Sequence, residues 1–272
     1  MPFVELKALG QDAINLYAEI RGTGSRLLYI SGTGSDLRKA PNIFESPLAE
    51  HFEILAYDHR GLGQSDKPDI PYSMQMYGDD VAALLDAVGW EQALVMGTSF
   101  GGMVAQELAL GHPAKVSKLV LACTSSGGAG GASYPLHELA DLTPEERARA
   151  MIPLADTRCD EAWQTANAQV FNAMLTWSIE NGRFAADEPG HALGARRQLE
   201  ARAGHNTYDR LPQLTMPVYV CGGHHDGIAS PDNLQALAAQ IPHVELEFFE
   251  GGHGFLMQDQ GAYQSIIRFL LG

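Results

Sequence analysis

The sequence predicts an α/β protein: a mostly parallel, twisted sheet covered by helices on both faces, with a helical lid inserted late in the chain. Three observations predict it. Short apolar runs alternate with amphipathic, helix-length runs from residue 13 to residue 270. The alternation breaks once, for about ninety residues after Cys123. The residues best suited to chemistry fall just past the apolar runs, where open parallel sheets bind their ligands.

The elements follow in order. Residues 13–20, 27–31 and 52–57 are strand candidates. Ser73 caps a helix in which Val81, Leu84, Leu85 and Val88 fall at i, i+3, i+4 and i+7, and Gly89 stops it. Residues 92–97 form a strand and 100–110 a helix that ends at Gly111-His112-Pro113. A strand at 117–122 precedes the break, and 217–221 and 244–249 follow it. Between those two, Ser230-Pro231 opens a helix with Leu234, Leu237, Ala238 and Ile241 on one face; the last helix carries Tyr263, Ile266, Ile267 and Leu270.

Within the break, Thr124 to Gly131 reads as a hinge-like linker rich in Ser and Gly. Thr143-Pro144-Glu145-Glu146 is a cap with an acidic first turn, and 163–179 and 191–203 are helix-like. The expected organisation is a core of residues 1–124 and 211–272, with 125–210 as the lid. A lid shapes a pocket and excludes water, and Trp163, Met174 and Trp177 are its candidate lining.

Residues 97–101, Gly-Thr-Ser-Phe-Gly, lie between a strand run and a helix run, the setting of a nucleophile elbow. The spacing has a steric reason: a serine thrust out of so tight a turn leaves no room for side chains beside it, and Gly97 and Gly101 have none. The turn aims the amide of Phe100, at a helix N-terminus, toward an oxyanion. With Ser99 as nucleophile, the acid and then the base come later in the chain. His253, wrapped in glycines after the 244–249 strand, suits a base. Asp226, just past the 217–221 strand, suits the acid that fixes its tautomer. Asp232 competes, but it follows Ser230-Pro231 and fits the first turn of a helix better. His59, in a tight turn after a strand, reads as structural. His224-His225-Asp226 lacks a third ligand at metal-site spacing, so neither metal nor cofactor is expected.

A net charge of −15 argues against nucleic acid or an anionic membrane as partner. Cys123, Cys159 and Cys221 have no disulfide-framework spacing, and with no basic leader or bilayer-length apolar run the expectation is a cytoplasmic location. The oligomeric state has no signature.

Taken together, Tyr57-Asp58-His59-Arg60-Gly61-Leu62-Gly63-Gln64-Ser65-Asp66, the segment Gly97 to Ala105, Asp226 and Gly252-His253 resemble the α/β-hydrolase superfamily over nearly the whole chain except the lid. The resemblance is greatest to the 3-oxoadipate enol-lactonase group and related small esterases. It implies a Ser99–Asp226–His253 triad acting on a small-molecule ester or lactone. Where most members carry His-Gly after the third strand, this chain has Ser31-Gly32-Thr33-Gly34, similar to the lactonase group's own variant. By position, the backbone amide of Thr33 is the second oxyanion donor beside that of Phe100, and Gly32 borders the substrate. The same resemblance leaves open a carbon–carbon bond hydrolase of ring-cleavage products, a cofactor-free perhydrolase, and, from another class, a ligand receptor on a hydrolase scaffold. Seven lid arginines (Arg147, Arg149, Arg158, Arg183, Arg196, Arg197 and Arg202) are the cations available to an anionic substrate; the reading favours their lying on solvated helix surfaces, with neutral esters preferred.

Overall fold

A computed structural model of the chain describes residues 3–6 and 13–272. Its eight strands are β1 (Phe3–Leu6), β2 (Ile14–Arg21), β3 (Ser25–Ile30), β4 (Phe52–Tyr57), β5 (Ala93–Thr98), β6 (Val116–Ala122), β7 (Val218–Gly223) and β8 (Val244–Phe249). They form one sheet in the order β1-β2-β4-β3-β5-β6-β7-β8. The run from β4 to β8 is parallel throughout, while β1 and β2 are antiparallel to their neighbours.

Strand side chains alternate between two cores, as a pleat of period two requires. Leu55, Val95, Leu119, Leu121, Val218 and Val220 enter one. Ile54, Met96, Val120, Ala122, Tyr219 and Cys221 enter the other. Both faces being buried, these strands read as continuous apolar runs. On the first face lie α1 (Met74–Ala87), α2 (Phe100–Gly111) and α7 (Pro231–Gln240); on the second, α9 (Gln260–Leu271). Ser73 caps α1 by accepting from the Met76 amide. Arg60, in the turn after β4, forms a bidentate pair with Asp80 of α1, and both are buried.

Between β6 and β7 the chain leaves the sheet for α3 (Pro144–Ala155), α4 (Glu161–Ala166), α5 (Ala168–Arg183) and α6 (His191–Ala203). The 163–179 segment is thus two helices rather than one, separated at Asn167, whose backbone leaves the helical region. Ala148, Ile152, Cys159, Phe171 and Leu175 give this insertion a small core of its own. The short α8 (Phe255–Gln258) precedes α9. No helix among the described residues is long and apolar enough to cross a membrane.

Candidate active site

β5 ends at Thr98 and α2 begins at Phe100, so Ser99 alone makes the turn. Its backbone sits at φ 55°, ψ −118°, a strained conformation for a residue with a side chain. Hydrogen bonds hold it there: the Ser99 amide donates to the Ala122 carbonyl (2.8 Å), and the Thr124 hydroxyl donates to the Ser99 carbonyl (2.8 Å). The flanking glycines are sterically required. A Cβ on Gly97 would lie 2.3 Å from the Gly101 carbonyl oxygen, and one on Gly101 2.0 Å from that of Ile30.

From this turn the Ser99 Oγ lies 2.9 Å from His253 Nε2, and His253 Nδ1 lies 2.7 Å from Asp226 Oδ2. Asp226 is 2% exposed, and its other oxygen accepts from the amides of Ile228 (2.8 Å) and Ala229 (2.9 Å). Those two donors fix which carboxylate oxygen faces the imidazole. The loops bearing the acid and the base are zipped together by amides of His224 and His225, which donate to the carbonyls of Phe249 and Gly251. They are also clasped from above. The last two carbonyls of α3, Leu154 and Ala155, accept from the amides of Gly227 (2.9 Å) and His253 (2.6 Å). Helix-terminal carbonyls have no intrahelical partner, so they are free to do so. Asp232 lies away from this cluster, exposed in the first turn of α7.

The strand end after β3 closes the other side. Phe100 is the first residue of α2, so its amide has no intrahelical acceptor and is available to a ligand. A Cβ on Gly32 would be 3.5 Å from the Ser99 Cβ, which brings the 31–34 segment against the nucleophile. His59 supports that segment from below. Burial pulls its pKa down to about 4, so the ring is neutral; its Nε2 donates to the Ser31 carbonyl (2.9 Å) while Nδ1 accepts from the Tyr57 hydroxyl (3.2 Å). A structural histidine thus ties the 31–34 segment to the turn after β4. Gln198 of α6 holds the segment from above: its Oε1 accepts from the Gly34 amide at 2.9 Å. Sequence reasoning missed Gln198, because a bond between residues 164 positions apart leaves no local pattern.

The alpha/beta hydrolase fold family profile matches residues 26–260, most of the chain. The chain belongs to the α/β-hydrolase family. Among its curated relatives is the poly(3-hydroxyalkanoate) depolymerase of Ectopseudomonas oleovorans, 28% identical over 261 residues that cover 90% of this chain and 83% of that one. Another, from a Caulobacter species, is named provisionally as the carbamate hydrolase RutD and is 28% identical over 241 residues, 83% of each chain. Among solved structures, the enol-lactonase of Burkholderia xenovorans superposes with a TM-score of 0.73 at 22% identity, covering 98% of both chains. A thermophilic esterase of Thermogutta terrifontis gives 0.76 at 23%, covering 99% of this chain and 98% of that one. At such identities the superpositions speak for the fold.

In this α/β-hydrolase the candidate apolar lining residues lie on α4 and α5. Trp163 and Met174 pack against the insertion's own core, and Trp177 is 62% exposed. Their helical spacing served the packing of α4 and α5 on α3, and an apolar period alone does not distinguish that from a pocket wall. One arginine departs from the surface expectation. Arg202 is 5% exposed, has no carboxylate partner among the described residues, and donates to the Tyr134 carbonyl (2.8 Å) and the Ser133 hydroxyl (2.7 Å). With His205 it borders a cavity of about 60 Å³ that Ser99, Asp226 and His253 do not line. Arg149, Arg158, Arg196 and Arg197 pair with Asp or Glu, and Arg147 caps carbonyls.

Proposed function

We propose that this α/β-hydrolase cleaves carboxylic esters or lactones through an acyl-enzyme on Ser99. The observation that carries the reading is the unbroken relay from the Ser99 Oγ through His253 to the buried Asp226 carboxylate. With Nδ1–H donating to Asp226, the Nε2 lone pair faces the serine hydroxyl and accepts its proton as Oγ attacks the carbonyl carbon. Negative charge gathers on the carbonyl oxygen, where the amides of Phe100 and Thr33 would donate to it. Collapse of the tetrahedral species expels the alcohol, which takes the proton from His253. Water then repeats the sequence on the acyl-enzyme, releasing the acid and restoring Ser99. In a lactone the alcohol and the acid are two ends of one product.

The reading draws further support from its relatives' names, since a depolymerase of polyesters and an esterase both act on ester bonds. Neutral substrates are favoured: a net charge of −15 repels anions at long range, and the buried Arg202 is already engaged by Ser133 and Tyr134. Three buried free thiols fit a reducing compartment. The test is a panel of p-nitrophenyl esters, an anionic enol-lactone and a ring-cleavage dienone, with intact-mass detection of the acyl adduct. Steady ester turnover with a transient adduct on Ser99 is the expected result. Turnover of the dienone alone would assign carbon–carbon bond cleavage instead, and a long-lived adduct after one turnover would assign a receptor.

A further inference from the structure

The cavity of about 60 Å³ beside Arg202 has an exposed side and a buried one. Ala132, His137 and Ala203 line it from the exposed side, while Ser125, Ser133, Arg202 and His205 are buried. The guanidinium itself belongs to this wall. Its Nη2 donates to the Ser133 hydroxyl (2.7 Å) and its Nη1 to the carbonyl of Tyr134 (2.8 Å), which sits between two lining residues, Ser133 and Pro135. Five N–H groups thus share two acceptors, both of them neutral. Burial pulls the Arg202 pKa down to about 10, so the group still carries its charge at neutral pH. Buried charges are ordinarily paired, yet no Asp or Glu lines this cavity. Two hydroxyls add to the imbalance. Ser133 Oγ accepts from Arg202 and Ser125 Oγ accepts from the Ser133 amide (3.2 Å), and among the described residues neither O–H donates to anything. His205 brings no second charge: burial pulls its pKa down to about 4, and its Nε2 donates to the Ser125 carbonyl (3.2 Å). Its Nδ1 is then a bare acceptor, so an anion would sit against Arg202 and the serines rather than the imidazole.

We infer that this cavity is a binding site for a small anion, a halide or the carboxylate of a short organic acid, held by Arg202 and the hydroxyls of Ser125 and Ser133. One positive charge and two unspent O–H donors meet there with nothing negative to receive them. A water needs roughly 10–15 Å³ of such space, so the cavity admits an ion or a carboxylate head and excludes a whole ester. The net charge of −15 slows the approach of an anion but does not loosen its hold at contact, where charge-assisted bonds act at short range. The site is independent of the ester-hydrolase reading, because Ser99, Asp226 and His253 do not line it.

The experiment follows urea unfolding of the whole chain at neutral pH in rising sodium chloride and, separately, sodium formate. Wild type is compared with Arg202→Met and Arg183→Met. Both variants lose one positive charge, but Arg183 is exposed and does not line the cavity, so general salt effects are common to all three proteins. An anion bound only by the folded chain lowers its unfolding constant about tenfold for each tenfold rise in anion above the dissociation constant. Wild type and Arg183→Met should show that dependence in at least one salt and Arg202→Met should lack it. A response to chloride assigns a halide site, and a response to formate alone a carboxylate site. Parallel curves for wild type and Arg202→Met in both salts would overturn the site, and an equal loss in Arg183→Met would overturn it as an effect of net charge. Should Arg202→Met not fold, Ser125→Ala decides. Loss of one bond to a charged ligand should move the anion requirement about tenfold higher, and an unmoved requirement would overturn the inference.

Discussion

A single methyl group on Gly101 should disable the site. The Cβ it adds would lie 2.0 Å from the carbonyl oxygen of Ile30 and 2.6 Å from that of Ser31, while ordinary contact begins at 3.4 Å. The two backbones must therefore part by about 1.4 Å. Ile30 cannot simply yield, because it is in register with Gly97 in the β3–β5 ladder. The strain therefore falls on the junction between the serine turn and the 31–34 segment. A displacement of ~1 Å at reacting groups costs about 10²-fold in rate, and forcing a methyl into a packed interior costs ~1–3 kcal/mol. Gly101→Ala should thus lower kcat on p-nitrophenyl butyrate by about 10²-fold and move the urea midpoint downward by an amount in that range. Gly111→Ala is the control: it lies in the same helix with nothing within 4 Å of its Cβ, and should leave kcat unchanged with stability equal or slightly higher. Should Gly101→Ala retain kcat within about threefold of wild type and an unshifted midpoint, the close approach of turn and segment is not what holds the site together.

Three further outcomes are expected. Ser99→Ala should lower kcat by on the order of 10³-fold or more while leaving the unfolding midpoint near wild type; retained ester turnover would refute its role as nucleophile. Asp226→Asn should cost about 10³- to 10⁴-fold. The Ile228 and Ala229 amides will hold the new carboxamide oxygen, which turns its NH₂ toward His253 Nδ1 and forces the proton onto Nε2, where it blocks the serine. Asp232→Asn should do little, and a swap of the two results would reassign the acid. Stability should fall as the pH drops from about 6.5 to 4. Burial depresses His59 and His205 to about 4 from 6.5, so their contribution is complete above 6.5 and is lost as the pH falls through 4. Asp58 opposes them: burial raises it to about 6, so its contribution is complete below its ordinary value of 3.8 and is lost as the pH rises through 6. Asp80, raised by burial, acts with Asp58, while His191, depressed by burial, acts with the two histidines, and the expected balance is a net loss of stability toward pH 4. Chemical denaturation at pH 7 and pH 4 reads it, and His205→Gln should shrink the difference; equal or greater stability at pH 4 would refute the assignment.

What the sequence disclosed, and what it withheld, divides by range of interaction. Strands buried on both faces announce themselves as apolar runs and the half-exposed β2 and β8 by alternation of apolar and polar residues, and seven strands are legible to within two residues at each end. The eighth, Phe3–Leu6, is a four-residue edge strand with a largely exposed pattern, too short to carry a period. Ser99, Asp226 and His253 were legible because each follows a strand within a few residues, so topology alone brings them to one edge. The surroundings were not. Whether Trp177 faced a pocket or solvent depended on how α5 rotates against α3, and whether Arg202 lay inside depended on Ser133 and Tyr134, far from it in sequence. Gln198 and His59 act through side chain to backbone bonds, and such bonds leave no periodicity to read.

The clasp at the end of α3 bears on how such a protein diversifies. Leu154 and Ala155 hold the acid and base loops with main-chain oxygens, which every residue type possesses. The side chains of the insertion can therefore drift, and with them the shape of what it admits, without loosening that grip. What cannot drift is where the helix stops. Lengthening α3 by one turn would occupy those oxygens internally, and excising the insertion would leave the Gly227 and His253 amides untethered. An exchange of lids between relatives would succeed only when the incoming segment ends a helix at the same point above the two loops.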